Sequence, residues 1–412
     1  MQARRLVVVG GGAAGFFGAV NAARMEPGLE VILLEKSSKV LSKVRVSGGG
    51  RCNVTHACFS IPELIRSYPR GGNFLKKAFP HFFTRDTISW FAERGVVLKT
   101  EEDGRMFPVT DSSSTIIDCL MREANQYGVQ LRLNWEVKSI ERTDAGLRVH
   151  TAMDAPLSAD SVLIACGGFP KPEQFAWLKA LGHTITPPLP SLFTLNMPGN
   201  PLTELMGVSV PEVQLRIAGS KLGEKGPLLI THWGCSGPAI LRLSAWGATE
   251  LAERGYTFTL VVHWIPGHTE GDVREIFQQM RSGHGSQTIW KRSIFGLPQR
   301  LWQFLAAQAG IGEGTRWGDL PAREQNAFIR YLCAHELPVK GKTTFKEEFV
   351  TCGGIRLPEV DPATMESRLV RGLYFAGEIL DVDGVTGGFN FQHAWSSGFI
   401  AARAITAGHQ RG

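Results

Sequence analysis

Three glycines stand at the spacing that lets a backbone approach a pyrophosphate: Gly10-x-Gly12-x-x-Gly15. The first permits a tight turn, the second a close approach of the anion, and the third close packing of helix on strand. Glu35 follows Gly15 by twenty residues, where a carboxylate accepts hydrogen bonds from ribose hydroxyls. The same carboxylate repels a 2′-phosphate, which favours FAD or NAD over NADP. These residues need a strand, a helix and a second strand to position them. Leu6–Val9 is short, apolar and β-branched, as expected of a buried parallel strand. Phe16–Met25 reads as a helix stopped by Pro27-Gly28, and Glu30–Leu34 as the second strand. The helix start at Ala13 and Ala14 adds unpaired N–H groups and a positive dipole end.

Two further glycine-rich segments choose between FAD and NAD. Ser47-Gly48-Gly49-Gly50-Arg51-Cys52-Asn53 follows the second strand, with Lys43 and Arg51 adding positive charge. Such a loop can wrap the middle of an extended dinucleotide. Near the other end, Leu373–Ala376 reads as a strand ending in Gly377-Glu378, an acid suited to ribitol hydroxyls. Asp381 and Asp383 follow, then Thr386-Gly387-Gly388-Phe389-Asn390 at the start of a helix reaching about Thr406. A helix N-terminus at a flavin pyrimidine edge stabilises the negative charge of the reduced ring. Ordinary capping by Thr386 or Asn390 is the plainer reading of that segment alone. Taken together, the three segments favour FAD.

Between them, residues 37–60 read as a loop and 61–128 as mainly helical, with helices at 62–68, 84–94 and 113–127. Val129–Leu163 alternates in a period of two and predicts a β-meander, ending in a buried strand at Ser161–Ala165. Composition shifts near Thr186–Pro190. Residues 191–264 then look β-rich and 270–337 helical.

The sequence resembles the bacterial FAD-dependent oxidoreductases described as BaiN-like or aminoacetone-oxidase-like flavoproteins. The resemblance rests on GGGAAG at 10–15, SGGGRCN at 47–53, THWGCSGPAILRLS at 231–244, TCGGI at 351–355 and the long block at 364–398. It implies an α/β fold: a Rossmann-like FAD-binding domain of the two-dinucleotide-binding-domain flavoprotein type, with an inserted β-barrel-like and helical domain. The expected division is 1–190 with 346–412 for the FAD domain, 191–268 for a β-rich substrate domain and 269–345 for a helical subdomain. The resemblance implies non-covalent FAD contacts at Gly10, Gly12, Ala14, Gly15, Glu35, Lys36, Ser47, Gly48, Gly49, Arg51 and Asn53. Val137 would contact the adenine through its backbone. Gly377, Glu378, Asp383, Gly387, Gly388, Phe389 and Asn390 would surround ribitol and flavin. Ala13, Lys43, Cys52, Cys166 and Gly167 complete the expected cofactor set. Ala165-Cys166-Gly167-Gly168 departs from the family's usual Ala-Thr-Gly-Gly, and Cys352 stands where the family more often has a small apolar residue.

The expected reaction is hydride transfer between flavin N5 and a small organic substrate. Reduction fed by NAD(P)H and amine-type oxidation both remain open. Flavin chemistry asks the protein mainly to orient the substrate, and no acid–base motif stands out. His232, in Thr-His-Trp-Gly-Cys-Ser-Gly-Pro, is the one proton-donor candidate, against the commoner structural role of a lone histidine. Cys52 and Cys58 suggest a flavin disulfide reductase, but their five-residue separation is one longer than that class uses. No second G-x-G-x-x-G supplies a separate pyridine-nucleotide domain. Trp233, Trp246, Trp264, Trp290, Trp302 and Trp317 could line an apolar substrate pocket or simply pack the core.

The chain has 412 residues, 43% hydrophobic and 20% charged, which excludes whole-chain disorder and allows two to three domains. Its seven cysteines include no C-x-x-C, so neither a disulfide scaffold nor a metal site is expected. The start of the chain lacks a signal-peptide pattern, and no apolar run reaches the roughly 18 residues of a membrane span. A cytoplasmic protein is expected. The net charge is 44 − 38 = +6. It suits an anionic cofactor and also permits a flavin-containing RNA-binding or tRNA-modifying protein. Lys291, Arg292, Arg300, Lys340, Lys342 and Lys346 would then form a basic patch, with a solvated surface as the plainer reading.

Overall fold

The computed structural model describes residues 4–153, 155–343 and 350–407. The chain divides into two compact units, Met1–Ser191 with Lys346–Gly412, and Leu192–Phe345.

The first unit is built on a five-stranded parallel sheet. Strand β1 (Arg5–Val9) leads into helix α1 (Ala13–Met25), which returns to β2 (Glu30–Glu35); β3 (Gln130–Leu133) and β4 (Ser161–Ile164) follow. The order across the sheet is Leu373–Phe375, β4, β1, β2, β3. Val7 pairs with Ile32 on one side and Val162 on the other. Both faces are covered, so the β1 and β4 side chains from Leu6 to Val9 and Val162 to Ile164 are buried. The first strand and the last are thus joined through β4, from opposite ends of the chain.

The C-terminal helix (Phe389–Ala407) packs along α1. Glycines permit this contact. A side-chain carbon on Gly398 would lie 2.7 Å from the Ala14 carbonyl oxygen and 3.2 Å from Gly18 N. One on Gly18 would lie 2.5 Å from Leu163 Cδ2 and 3.3 Å from the Gly398 carbonyl oxygen. The two helices therefore meet backbone to backbone. Trp90, Phe91 and Trp395 surround Phe17 beside this crossing.

Several elements differ from the sequence reading. Ser42–Gly50 contains helical turns within the expected loop. The expected helical region holds a small antiparallel sheet of Thr55–His56, Arg105–Pro108 and Leu98–Thr100. Only the middle of the expected meander is one, at Val137–Thr143, Gly146–Thr151 and Leu157–Ala159; its two ends are parallel strands of the main sheet. Alternation is ambiguous there, because β3 sits at the sheet edge and is half exposed like a meander strand.

The second unit is a seven-stranded antiparallel sheet. Its order is His335–Lys340, Thr257–His263, Ser209–Ile217, Gly223–Thr231, Gly234–Ser236, Thr194–Asn196, Lys342–Thr343. The first and last members are one chain segment, separated only by Gly341 at φ +92°. Gly341 donates to the Tyr256 carbonyl (2.8 Å) and accepts from Asn196 N–H (3.1 Å), which closes the sheet into a barrel. Helices Glu270–His284, Gln299–Gln308 and Ala322–Cys333 are inserted before the closing strand. Sheet and helices share one core that includes Val262, Leu301, Trp302 and Phe328.

Replacing Gly398 by Val should force the two packed helices apart. We expect a loss of about 2–4 kcal/mol in unfolding free energy, measured by urea denaturation, with Gly28→Ala, where a side-chain carbon meets nothing within 4 Å, as the benign control.

Candidate functional site

The three glycines of the N-terminal turn play different parts. A side-chain carbon on Gly15 would lie 1.9 Å from the Gly10 carbonyl oxygen, and one on Gly10 would lie 2.4 Å from the Ala165 carbonyl oxygen and 2.6 Å from Cys166 Cα. Both positions are filled by backbone. A side-chain carbon on Gly12 meets nothing within 4 Å. Gly12 is the N-cap of α1, and no side chain caps that end. The first N–H groups of the helix, from Ala13 onward, have no carbonyl within the helix to bond. Open space above an uncapped helix start is what a pyrophosphate requires.

Glu35 closes β2 beside this turn. Its Oε2 accepts from Gly11 N–H (2.8 Å), and its Oε1 accepts from Ser37 N–H (2.9 Å) and the Ser37 hydroxyl (2.8 Å). These bonds hold the carboxylate still and leave lone pairs for a ribose. Trp135 N–H donates to the Glu35 carbonyl (2.9 Å), which brings Val137, two residues on, to the same end of the sheet. Lys36 lies over the Phe169 ring at 5.8 Å.

The other two glycine-rich segments are held against each other. Gly48, Gly49, Gly50 and Cys52 all have positive φ. Asn53, with its amide oriented to satisfy both groups, accepts from Gly388 N–H (3.0 Å) and donates to the Thr55 carbonyl (3.0 Å). A side-chain carbon on Gly388 would lie 2.6 Å from the Thr55 carbonyl. His56 Nδ1 bonds the Gly387 carbonyl (3.1 Å), and its ring stacks on Phe389 at 4.7 Å. A carbonyl only accepts, so Nδ1 carries the proton. Tyr68 donates to the Phe389 carbonyl (2.7 Å).

A third cluster surrounds Gly377-Glu378. Glu378 Oε2 pairs with Lys43 Nζ (2.6 Å), and Oε1 accepts from Thr351 N–H (2.8 Å). Gly167 and Gly168 lie beside the same carboxylate. Gly377 N–H donates to Ser397 Oγ (2.9 Å), and His393 Nε2 donates to the Gly377 carbonyl (3.1 Å). Burial lowers His393 to about 4, so it stays neutral near pH 7.

Four expected side chains are taken up elsewhere. Arg51, expected at the cofactor, pairs with Glu101 (2.6 Å) and lies over Phe107 at 4.0 Å. Asp383, expected beside the flavin, is fully buried and bridged by Arg70, with Ser191 Oγ donating at 2.8 Å. Burial pushes the Asp383 carboxyl up, and the Arg70 guanidinium pulls it back down. Asn390 spends both amide atoms on Gly384, at 2.8 and 2.9 Å. Cys52 is fully buried and desolvation raises its thiol to about 12, which removes the thiolate a disulfide reductase needs. His56, Tyr68, Arg70, Ser191 and Thr351 were not expected. No local motif marks them, because each acts on a segment far away in sequence.

In the second unit, His232 is exposed and meets the Trp233 ring edge-on at 4.4 Å. Trp264, Trp302 and Trp317 are core residues, whereas Trp246 is 43% exposed. The basic residues stand on separate elements: Arg300 on a helix, donating to the Glu204 carbonyl (2.9 Å), and Lys342 over Tyr256 at 4.7 Å. Lys346 lies outside the described residues. Among the described residues, no His/Cys/Asp/Glu group could hold a metal, and no helix is long and apolar enough to cross a membrane.

The arrangement fits FAD on two observations: the open, uncapped turn at Gly12 and the carboxylate fixed at Glu35. Gly12→Val should leave the melting temperature near wild type yet remove bound flavin. Gly15→Ala should destabilise the fold itself. Flavin absorbance after desalting, together with thermal melts, separates the two. Asp383→Asn should weaken folding by about 3 kcal/mol or more, since Arg70 would lose its buried counter-charge; denaturant unfolding measures this.

The family described as HI0933-like protein Rossmann domain matches residues 4–404. The chain is 31% identical over 411 residues to the ribosomal RNA dihydrouridine synthase of Escherichia coli, covering 97% of this chain and 98% of that one. It is 28% identical over 408 residues to the 3-dehydro-bile acid delta(4,6)-reductase of Clostridium scindens, with the same coverage of 97% and 98%. Among solved structures, it is similar to the 3-ketosteroid-delta4-(5alpha)-dehydrogenase of Rhodococcus jostii, with a TM-score of 0.52, 14% identity and 98% of each chain covered. That likeness shows the fold. With the family matched from one end of the sheet to the other, the chain belongs to the HI0933-like flavoproteins and is an FAD-dependent oxidoreductase.

Proposed function

We propose that this enzyme reduces a carbon–carbon double bond conjugated to a carbonyl, using NAD(P)H as the electron donor. The observation that carries the reading is the welded loop at Gly387-Gly388. Asn53, His56 and Tyr68 fix it from outside, and the C-terminal helix starts immediately after it. The positive end of that helix is thereby held in one place, where it favours negative charge on a ring set against it.

When bound, FAD supplies the two-electron carrier between donor and substrate. The protein's own groups do the rest. The α1 N-terminus binds the pyrophosphate, Glu35 holds the ribose and Glu378 the ribityl chain. His56 donates its Nδ1 proton to the Gly387 carbonyl and so orients the loop. The balance is simple: the β-carbon of the substrate gains a hydride, the α-carbon gains a proton, and NAD(P)⁺ leaves. Solvent supplies the proton.

The relatives support the bond type. A delta(4,6)-reductase acts on ring double bonds of a 3-oxo compound, and dihydrouridine is uridine with its C5–C6 double bond reduced. Both bonds are conjugated to a carbonyl. An RNA uracil as the substrate is a second reading, favoured by the net charge of +6.

The first test is anaerobic mixing of the holoprotein with NADH and NADPH, following loss of the flavin's visible absorption. Rapid bleaching is expected, with reoxidation by a cyclic enone or by uridine-containing RNA. Reoxidation by one and not the other identifies the substrate class. Failure of both nicotinamides to bleach, with bleaching by a primary amine, would replace this reading with amine oxidation.

A further inference from the structure

The cofactor unit carries a concavity lined by none of the cofactor candidates. Its volume is about 820 Å³, within the range of small-molecule sites. One wall is apolar, from Ile65, Phe74 and Leu357. Arg66, Lys77 and Arg368 also line it, and no Asp or Glu does. Among the described residues, Arg66 and Lys77 form no ion pair. Arg368 meets Asp361 at 3.3 Å, with both side chains well exposed, and such a pair is weak. An apolar wall beside unmatched cations suits a flat ring joined to phosphates. The only aromatic ring in the lining, Phe74, is 7% exposed, so successive nucleic-acid bases would find no stacking platform. A single nucleotide fits better than a strand.

The position of the cavity connects it to the flavin loop. Gly71, at φ +81°, lines the cavity. A side-chain carbon there would lie 2.5 Å from Val382 Cγ2 and 3.2 Å from the Asp381 carbonyl oxygen. Its neighbour Arg70 grips Asp383. The cavity wall therefore abuts the segment that leads into Gly387-Gly388.

We propose that this cavity docks the adenosine-phosphate end of the nicotinamide donor, with Arg66, Lys77 and Arg368 on the phosphates and Ile65 and Leu357 on the adenine. The proposal rests on the donor reading above.

Calorimetry of the holoprotein with ADP and with adenosine 2′,5′-bisphosphate tests the site without the redox step. Stopped-flow bleaching by NADPH tests its use. In an Arg66→Ala/Lys77→Ala double variant, both dissociation constants should rise about tenfold or more. The limiting bleaching rate, flavin content and melting temperature should hold. Lys77→Glu should weaken binding further. Wild-type affinity in the double variant overturns the proposal, as does selective loss of RNA-oligonucleotide binding with ADP binding intact. If wild type binds ADP through these residues but neither nicotinamide bleaches it, the donor reading fails while the phosphate site stands. If NADPH bleaches the double variant with an unchanged dissociation constant, the site fails while the donor reading stands.

Discussion

The close crossing of α1 and the C-terminal helix is the constraint on which the cofactor unit depends. At Gly18 and Gly398 each helix touches the backbone of the other. Only this separation lets Gly377 sit 2.9 Å, measured from its would-be side-chain carbon, from Ala14 Cβ. The glycine turn that opens α1 and the strand end that carries Glu378 are then parts of one surface. Any side chain at the crossing would lift one end of the site off the other.

Around this contact the loops are fixed by bonds that are long in sequence and short in space. Asn53 reaches Gly388, Tyr68 reaches Phe389, and Arg70 reaches Asp383. The segment 53–70 thus braces the segment 383–389 from one side. A buried ion pair such as Arg70–Asp383 contributes little net stability compared with apolar packing, but breaking it is costly. Its effect is to define one conformation of the loop.

Much of this was legible in the sequence. The strand–turn–helix unit is local, so the tight packing at Gly10 and Gly15 and the open position at Gly12 followed from spacing alone. The Ser-Gly-Gly-Gly loop and the Gly387-Gly388 segment were visible as motifs, but their mutual contact was not. Asp383 shows the limit: an acid in a glycine-rich loop reads as a ligand, and only the fold reveals Arg70 against it. The partners of Arg51 were hidden in the same way, because Glu101 and Phe107 sit some fifty residues away. The residues themselves showed a β-rich stretch, and its barrel-like form was implied by the family resemblance. Its closure through Gly341 was not, since strand Lys342–Thr343 is too short to show a period.

The discontinuity of the cofactor unit has a consequence for synthesis. The strand Leu373–Phe375 and the helix behind it emerge from the ribosome after the whole inserted unit, yet they complete the sheet begun by β1. The barrel and its helices, made from Leu192 onward, have their own core by then. Chains that grow from the N-terminus fold domain by domain, and long-range parallel pairing is slow. The inserted unit is therefore ready to fold while the nascent chain is still growing, and the nucleotide-binding half must wait for the strand and helix that follow that unit.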